Sequence, residues 1–241
     1  MNCSLRVSRL VPILLTMLIA SCGIGEPDSA GTAPELSTSA DVQTASPSAS
    51  SKSRSHVLSD ASEGAIGVTV TVPAAGWTGE SGGWSMEHLP DGFDPPAGAG
   101  IIAFVVDEKF FVYGDACDWK RTRPETAATT VEGIVRGLAK QTPRDPSKPE
   151  RITLDGNSGK RIILHVPSGA RFKDCDEDTF ATFGVAGEDP ALYAQGPGEI
   201  DEIWVVDVDG RVVLLEGGYY TDTRPSVVDE LRDILRSATF D

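Results

Sequence analysis

Histidine is scarce in this sequence, at three residues of 241, and no arrangement of it suits a metal. His56 falls in a Ser-rich stretch, His88 follows a short apolar segment, and His165 lies in a strand-like run with no cysteine or carboxylate at ligand spacing. A tetrahedral zinc site needs several convergent nitrogen or sulfur donors, so none is expected. Positive charge is also short: 21 Lys and Arg stand against 36 Asp and Glu, a formal net charge of −15. Nucleic acid and anionic membrane surfaces both recruit basic patches, so the balance excludes them as partners. Cysteine is limited to Cys3, Cys22, Cys117 and Cys175, with no Cys-x-x-Cys spacing of the redox-active kind. Long apolar runs are missing too. The N-terminal run Leu10–Ala20 has 11 residues, against the roughly 20 that a membrane-crossing helix requires.

That short run nevertheless carries information. Arg6 and Arg9 are the only charges before Cys22, and both are positive, which with Leu10–Ala20 gives the n- and h-regions of a signal peptide over residues 1–21. The run ends in Ile19-Ala20-Ser21-Cys22, which resembles the bacterial lipobox. Small side chains let extended backbone enter a peptidase cleft, and the cysteine thiol receives the lipid. The resemblance implies cleavage between Ser21 and Cys22, a diacylglyceryl thioether on Cys22, and palmitate-type acyl chains holding the protein at the extracytoplasmic face of a cell membrane. Two acyl chains make a stable anchor where one does not. The alternative is an ordinary secreted chain whose small-residue site precedes a cysteine by chance. Cleavage would remove two arginines and no acids, taking the charge from −15 to −17.

Residues 22–62 are rich in Ser, Thr, Ala and Pro and poor in large apolar side chains. Such a composition buries too little surface to offset chain entropy, so the segment reads as a disordered tether. About 40 flexible residues would span roughly 35 Å root-mean-square. Residues 63–241 are expected to form a single α+β domain with a largely antiparallel sheet and two main helices. Ile66–Val72 alternates with period two and stops at Pro73; short strands are expected at Trp84–His88, Ile101–Val106 and Phe110–Tyr113. Thr129-Thr130-Val131-Glu132 has the form of a capping box and opens a helix carrying Val131, Ile134, Val135 and Leu138 on one face. Further strands are expected at Arg151–Leu154, Arg161–Val166 and Phe180–Val185. The clearest signal is a hairpin, Ile203–Val208 and Arg211–Leu215 about Asp209-Gly210. A last helix runs over Pro225–Ser237 with Val228, Leu231, Ile234 and Leu235 as its apolar stripe. Export leaves Cys117 and Cys175 as an even pair in an oxidising compartment, read as one disulfide. Closing a loop of about 59 residues contributes roughly 4 kcal/mol in the chain-entropy model. Two buried free thiols are the alternative.

Two stretches resemble the PsbP-like fold found among actinobacterial lipoproteins. They are the opening Val70-Thr71-Val72-Pro73-Ala74-Ala75-Gly76-Trp77 and the closing helix from Leu231 that ends on Ser237-Ala238-Thr239-Phe240. Tyr113–Trp119 and Gln195–Gly198 are similar to Tyr-Gly-Asp-x-Cys-x-Trp and Gln-x-Pro-Gly stretches of actinobacterial envelope proteins with no assigned reaction. The PsbP resemblance implies a binding or assembly factor rather than a catalyst, by analogy of fold alone.

Candidate chemistry is thin. Gly79-Glu80-Ser81-Gly82-Gly83 has the G-x-S-x-G form, but an elbow serine needs a helix after it, and the sequence there leads into a strand. His56 is the sole histidine before Ser81, so no triad follows. Asp174, Asp176 and Asp178 alternate as in the opening of a calcium loop, yet Thr179 stands where glycine is needed and Val185 where glutamate is needed. They are weak metal candidates. Asp115, Asp118 and Arg121 flank Cys117, and a Cys117–Cys175 bridge would bring those acids near the second cluster. Converging carboxylates raise one another's pKa. Gly196-Pro197-Gly198 is a turn with no helix after it, hence no phosphate cradle. Tyr219-Tyr220 reads as a contact patch or a strand end. The expectation is a non-enzymatic binding or assembly module of the cell envelope, without a cofactor, whose partner is an envelope protein or a small ligand. The rivals are an envelope hydrolase using Asp115, Asp118, Asp174, Asp176 and Asp178, and a weak calcium-binding domain.

Overall fold

The computed structural model describes residues 53–59, 66–79, 85–89 and 98–241. The expected signal peptide, Cys22, most of the expected tether and Ser81 lie outside the described residues. The described elements belong to one compact unit, Ser48–Asp241.

The expected Asp-Gly hairpin is its centre and is longer than the apolar runs alone indicate. Strands β10 (Glu199–Val208) and β11 (Arg211–Tyr220) pair antiparallel over their whole length, from Val208↔Arg211 to Glu199↔Tyr220. Asp209 and Gly210 both have positive φ, 52° and 82°, the backbone that a two-residue hairpin turn requires. Around this hairpin, β3 (Ser85–His88), β4 (Ala99–Val105), β6 (Glu150–Leu154) and β7 (Asn157–His165) build a six-stranded antiparallel sheet, in the order β3-β4-β11-β10-β7-β6. Both faces of its middle strands are covered, which is why Ile203–Val206 and Val212–Leu215 read as continuous apolar runs rather than alternating ones.

Alternate residues of β10 and β11 serve two cores. Trp204, Val206, Val213 and Leu215 pack beneath helix α2 (Pro225–Arg236) and a small sheet of β1 (Ser53–Ser59), β2 (Val68–Pro73) and β12 (Thr239–Phe240). Ile203, Val205, Val212 and Leu214 pack beneath helix α1 (Val131–Leu138) and a second small sheet of β5 (Phe110–Val112), β8 (Ala181–Val185) and β9 (Glu188–Tyr193). Helix α1 starts one residue later than the capping box implied. Thr130 is the N-cap, and its hydroxyl accepts from Gly133 N at 3.1 Å. Helix α2 begins with Pro225 at its first position, where a missing N–H costs no helical bond.

One expectation is corrected. Strand β1 occupies residues 53–59, inside the segment read as tether, and pairs with β2 from Ser53↔Pro73 to Ser59↔Val68. Its own composition is polar, but Leu58 is buried in the core beneath it, so the order comes from pairing rather than from propensity. The two remaining cysteines form one disulfide, Cys117–Cys175, with Cα atoms 4.5 Å apart, which removes the free-thiol alternative.

Candidate ligand groove

Two adjacent glycines in β11 set the site. A Cβ on Gly217 would stand 2.9 Å from Leu231 Cδ2 and Leu235 Cδ1, so its absence lets α2 settle onto one face of the sheet. Gly218 points to the other face and pairs with Gly100 of β4 on one side and Asp201 of β10 on the other. On that face α1 and β5 cover the Ile203 end, while at the other end the paired Gly100 and Gly218 contribute no side chain of their own. The result is a groove of about 650 Å³, within the range of small-ligand sites. Its walls include Ile102, Leu192, Tyr193 and Leu89. Leu89 and Tyr193 are 47% and 46% exposed and form part of its rim.

The floor is acidic. Glu199, Asp201 and Glu216 are all buried, and one ligand oxygen of each lies within 4.8 Å of the others. Measured from where a Gly218 Cβ would stand, Glu216 Oε1 is at 3.0 Å, Glu199 Oε1 at 3.3 Å and Asp201 Oδ1 at 3.9 Å. The register explains the meeting: Glu199 and Asp201 alternate along β10, Glu216 lies two residues before Gly218 on β11, and all face the α1 side.

Among the described residues, one cation opposes these three acids. Arg144, with no exposed surface, makes a buried ion pair with Asp201 Oδ2, and its guanidinium lies 5.5 Å over the Phe180 ring. Gln141 holds the loop before it by donating to the Tyr113 and Thr182 carbonyls at 3.0 and 2.7 Å. Among the described residues, Glu199 receives neutral donors: the backbone N–H groups of Gln195 and Gly196, and the Tyr220 hydroxyl. Burial, and after it the Asp201 charge, push the Glu199 carboxyl up to about 8 against those bonds. Burial and the charges of Asp201 and Glu199 push Glu216 well above its ordinary value. The Tyr220 hydroxyl is raised as well, by burial first and then by the Glu199 and Asp201 charges.

The opposite face of β10 shows how a buried acid is fully compensated. Glu202 accepts from Arg161 Nη1 and Arg232 Nε, both at 3.0 Å, and from Trp204 Nε1 at 3.2 Å. Arg232 also donates to the Tyr219 hydroxyl at 3.3 Å. Tyr219 is thus packed in a structural network, while Tyr220 lines the groove. One face of the β10–β11 hairpin satisfies one acid with two arginines, and the other sets three acids against one.

The acids singled out in the sequence have other roles. Asp115 caps its own loop by accepting from Cys117 N and Asp118 N, each at 2.8 Å, and from the Thr142 hydroxyl at 2.8 Å. Partial burial works to raise its pKa, but these bonds together hold it below the usual carboxylate value. Asp118 pairs with Arg121, Asp174 with Arg171, and Asp176 accepts from Lys120 N at 2.9 Å. None of these acids lines the groove. Among the described residues, Asp174, Asp176 and Asp178 do not form a set of convergent ligand atoms, whereas Glu199, Asp201 and Glu216 do. Of the histidines, His88 packs edge-on against Trp77 at 5.6 Å, and His165 Nδ1 lies 3.1 Å from the Asp145 carbonyl. The Gln195–Gly198 turn supplies the two N–H groups that meet Glu199.

Sequence reading missed Glu199, Asp201, Glu216 and Arg144. One signal was available. Extending the Asp-Gly hairpin register past Leu215 places Glu216 opposite Ile203, and Gly218 opposite Asp201.

No family model matches the chain, and no curated protein matches it in sequence. Among solved structures it is similar to LpqN of Mycobacterium tuberculosis, described as involved in cell envelope biogenesis. The identity is 14% and the TM-score 0.39, over 78% of this chain and 91% of that one. It is also similar to the PsbP protein of the cyanobacterium Synechocystis, at 12% identity and a TM-score of 0.33, over 83% of this chain and 99% of that one.

Proposed function

We propose that this chain is a lipid-anchored, extracytoplasmic envelope protein that acts by binding a small amphipathic ligand in the Gly100–Gly218 groove. The observation that carries this reading is a groove with apolar walls over three buried acids that a single arginine compensates. Buried polar groups are ordinarily satisfied. Where they are not, and the space beside them is large enough for a ligand, a ligand is the group that completes them. The Ile19–Cys22 lipobox and its preceding apolar run support the address.

A substitution at Gly100 tests the groove. A Cβ there would meet nothing nearer than the Met86 carbonyl at 3.8 Å, so a larger side chain enters the groove without a backbone clash. N-phenyl-1-naphthylamine, a neutral apolar fluorophore, should brighten on the wild type and fail to do so on Gly100→Leu, with the thermal midpoint unchanged. Equal brightening on both would place the fluorophore elsewhere and contradict the reading. The anchor has its own test. Cells fed labelled palmitate should transfer label to the wild type and not to Cys22→Ala, which should also keep its signal peptide. Label on the Cys22→Ala chain would refute lipidation at Cys22.

A further inference from the structure

Among the described residues, the ionisable groups that line the groove are Glu87, Glu199, Asp201 and Glu216, with Tyr193 and Tyr220. No lysine, arginine or histidine is among them. Arg144 meets Asp201 but is itself fully buried and does not line the groove. Asp201 is 2% exposed, and its Oδ1 meets no hydrogen-bond donor among the described residues except the Glu216 carboxyl when that carries a proton. That oxygen shares the space above Gly218 with Glu216 Oε1 and Glu199 Oε1. Two carboxyl oxygens facing each other need something positive between them, either a proton or a donor from outside.

We propose that the groove's ligand carries a primary ammonium group on an apolar body, and that its N–H groups are received by Asp201, Glu216 and Glu199. This rests on the groove being a ligand site. An ammonium offers three N–H donors in a compact head, one for each converging oxygen. Ile102, Leu192, Tyr193 and Leu89 give the apolar body a wall to lie against. A bare divalent cation leaves that wall unused and meets the Arg144 guanidinium beside Asp201. A quaternary ammonium has no N–H for Asp201 Oδ1.

Proton balance follows. Without ligand, burial and the neighbouring acids favour the protonated forms of Glu216 and Glu199, and Asp201 is paired with Arg144. The ammonium arrives with one positive charge. The Glu216 proton, bound between Glu216 and Asp201, then leaves to solvent and the site's net charge is unchanged. Glu87 lies in the outer part of the groove as an additional acid, and the Tyr193 and Tyr220 hydroxyls add no positive charge.

The test is calorimetry on the full chain in phosphatidylcholine nanodiscs, with empty nanodiscs as blank, at pH 7 in phosphate and in Tris. The probes are hexylammonium, hexanol, hexyltrimethylammonium and calcium chloride. Hexylammonium should bind, release about one proton per ligand, and exceed hexanol and hexyltrimethylammonium by ~10-fold or more in affinity. Glu216→Gln should abolish the proton release and weaken the amine ~10-fold, with the far-ultraviolet circular dichroism of the wild type. If hexanol matches the amine, the ammonium assignment is wrong and the groove reading stands. If calcium alone binds and Glu216→Gln abolishes it, the acids are a metal site and the ammonium assignment is wrong. If no probe binds and the neutral fluorophore also fails, both readings fall.

Discussion

Arg144→Met should cost about 3–5 kcal/mol of unfolding free energy at pH 7, because it leaves the buried Asp201 carboxylate without the one cation that meets it among the described residues. The ion pair itself adds little net stability once desolvation of both partners is counted; the cost arises from breaking one side of it. Arg144→Met combined with Asp201→Leu should therefore recover most of the loss. Urea unfolding of the two single variants and the double variant, arranged as a cycle, gives the coupling directly. A loss under about 1 kcal/mol in Arg144→Met would mean that Asp201 is compensated by something else. The whole description of an acid-rich floor with one cation would then be wrong.

The second large effect is on pH. The Glu199 carboxyl, ordinarily near 4.5, is raised to about 8 in the folded chain, and Glu216 is raised in the same direction. A carboxyl raised on folding contributes stability that is fully present below its unfolded value. Between about 4.5 and 8 the folded state keeps a proton that the unfolded state has lost. Stability then falls as pH rises, by about 1.4 kcal/mol per pH unit for each such group. For Glu199 alone the total is on the order of 5 kcal/mol by the time pH passes its folded value. Asp115 is shifted down, so its stabilisation is complete above the ordinary aspartate range and does not disturb this window. The double variant Glu199→Gln and Glu216→Gln should flatten the profile and be more stable than the wild type at pH 8. Glutamine at 199 still accepts from Gln195 N and Gly196 N, and glutamine at 216 supplies a permanent donor toward Asp201. Urea midpoints at pH 5, 6.5 and 8 measure this. Parallel curves for wild type and double variant would show that the two glutamates titrate normally.

The elements that sequence reading located are those with local causes. Asp209-Gly210 dictates a turn whatever surrounds it, and the apolar stripe of α2 repeats at helical spacing. Cys117 and Cys175 could be paired by parity and compartment. What was not legible depends on partners distant in sequence. Strand β1 has the composition of a tether and becomes a strand because β2 offers it an edge. Arg144 looks like any loop arginine until Asp201, 57 residues away, is brought against it. Glu199, Asp201 and Glu216 read as the solvent-facing acids of an acidic chain. Only the hairpin register, continued to Glu199↔Tyr220, turns them inward and sets them over Gly218. The acids that did draw attention, Asp115, Asp118, Asp174 and Asp176, are held by neighbouring loop donors and cations. Their clustering in sequence reflects loop capping near the disulfide.

A carbon-13 carboxyl NMR titration with labelled glutamate, run with and without hexylammonium, tests the central claim most directly. The Glu199 signal should titrate near pH 8 in the free protein and the Glu216 signal well above the ordinary carboxylate range, and at least one should move down by about a unit or more when the amine is bound. If every glutamate titrates in its ordinary range near 4.5 and none responds to the amine, the groove holds no shared protons and the proposed ligand site does not exist.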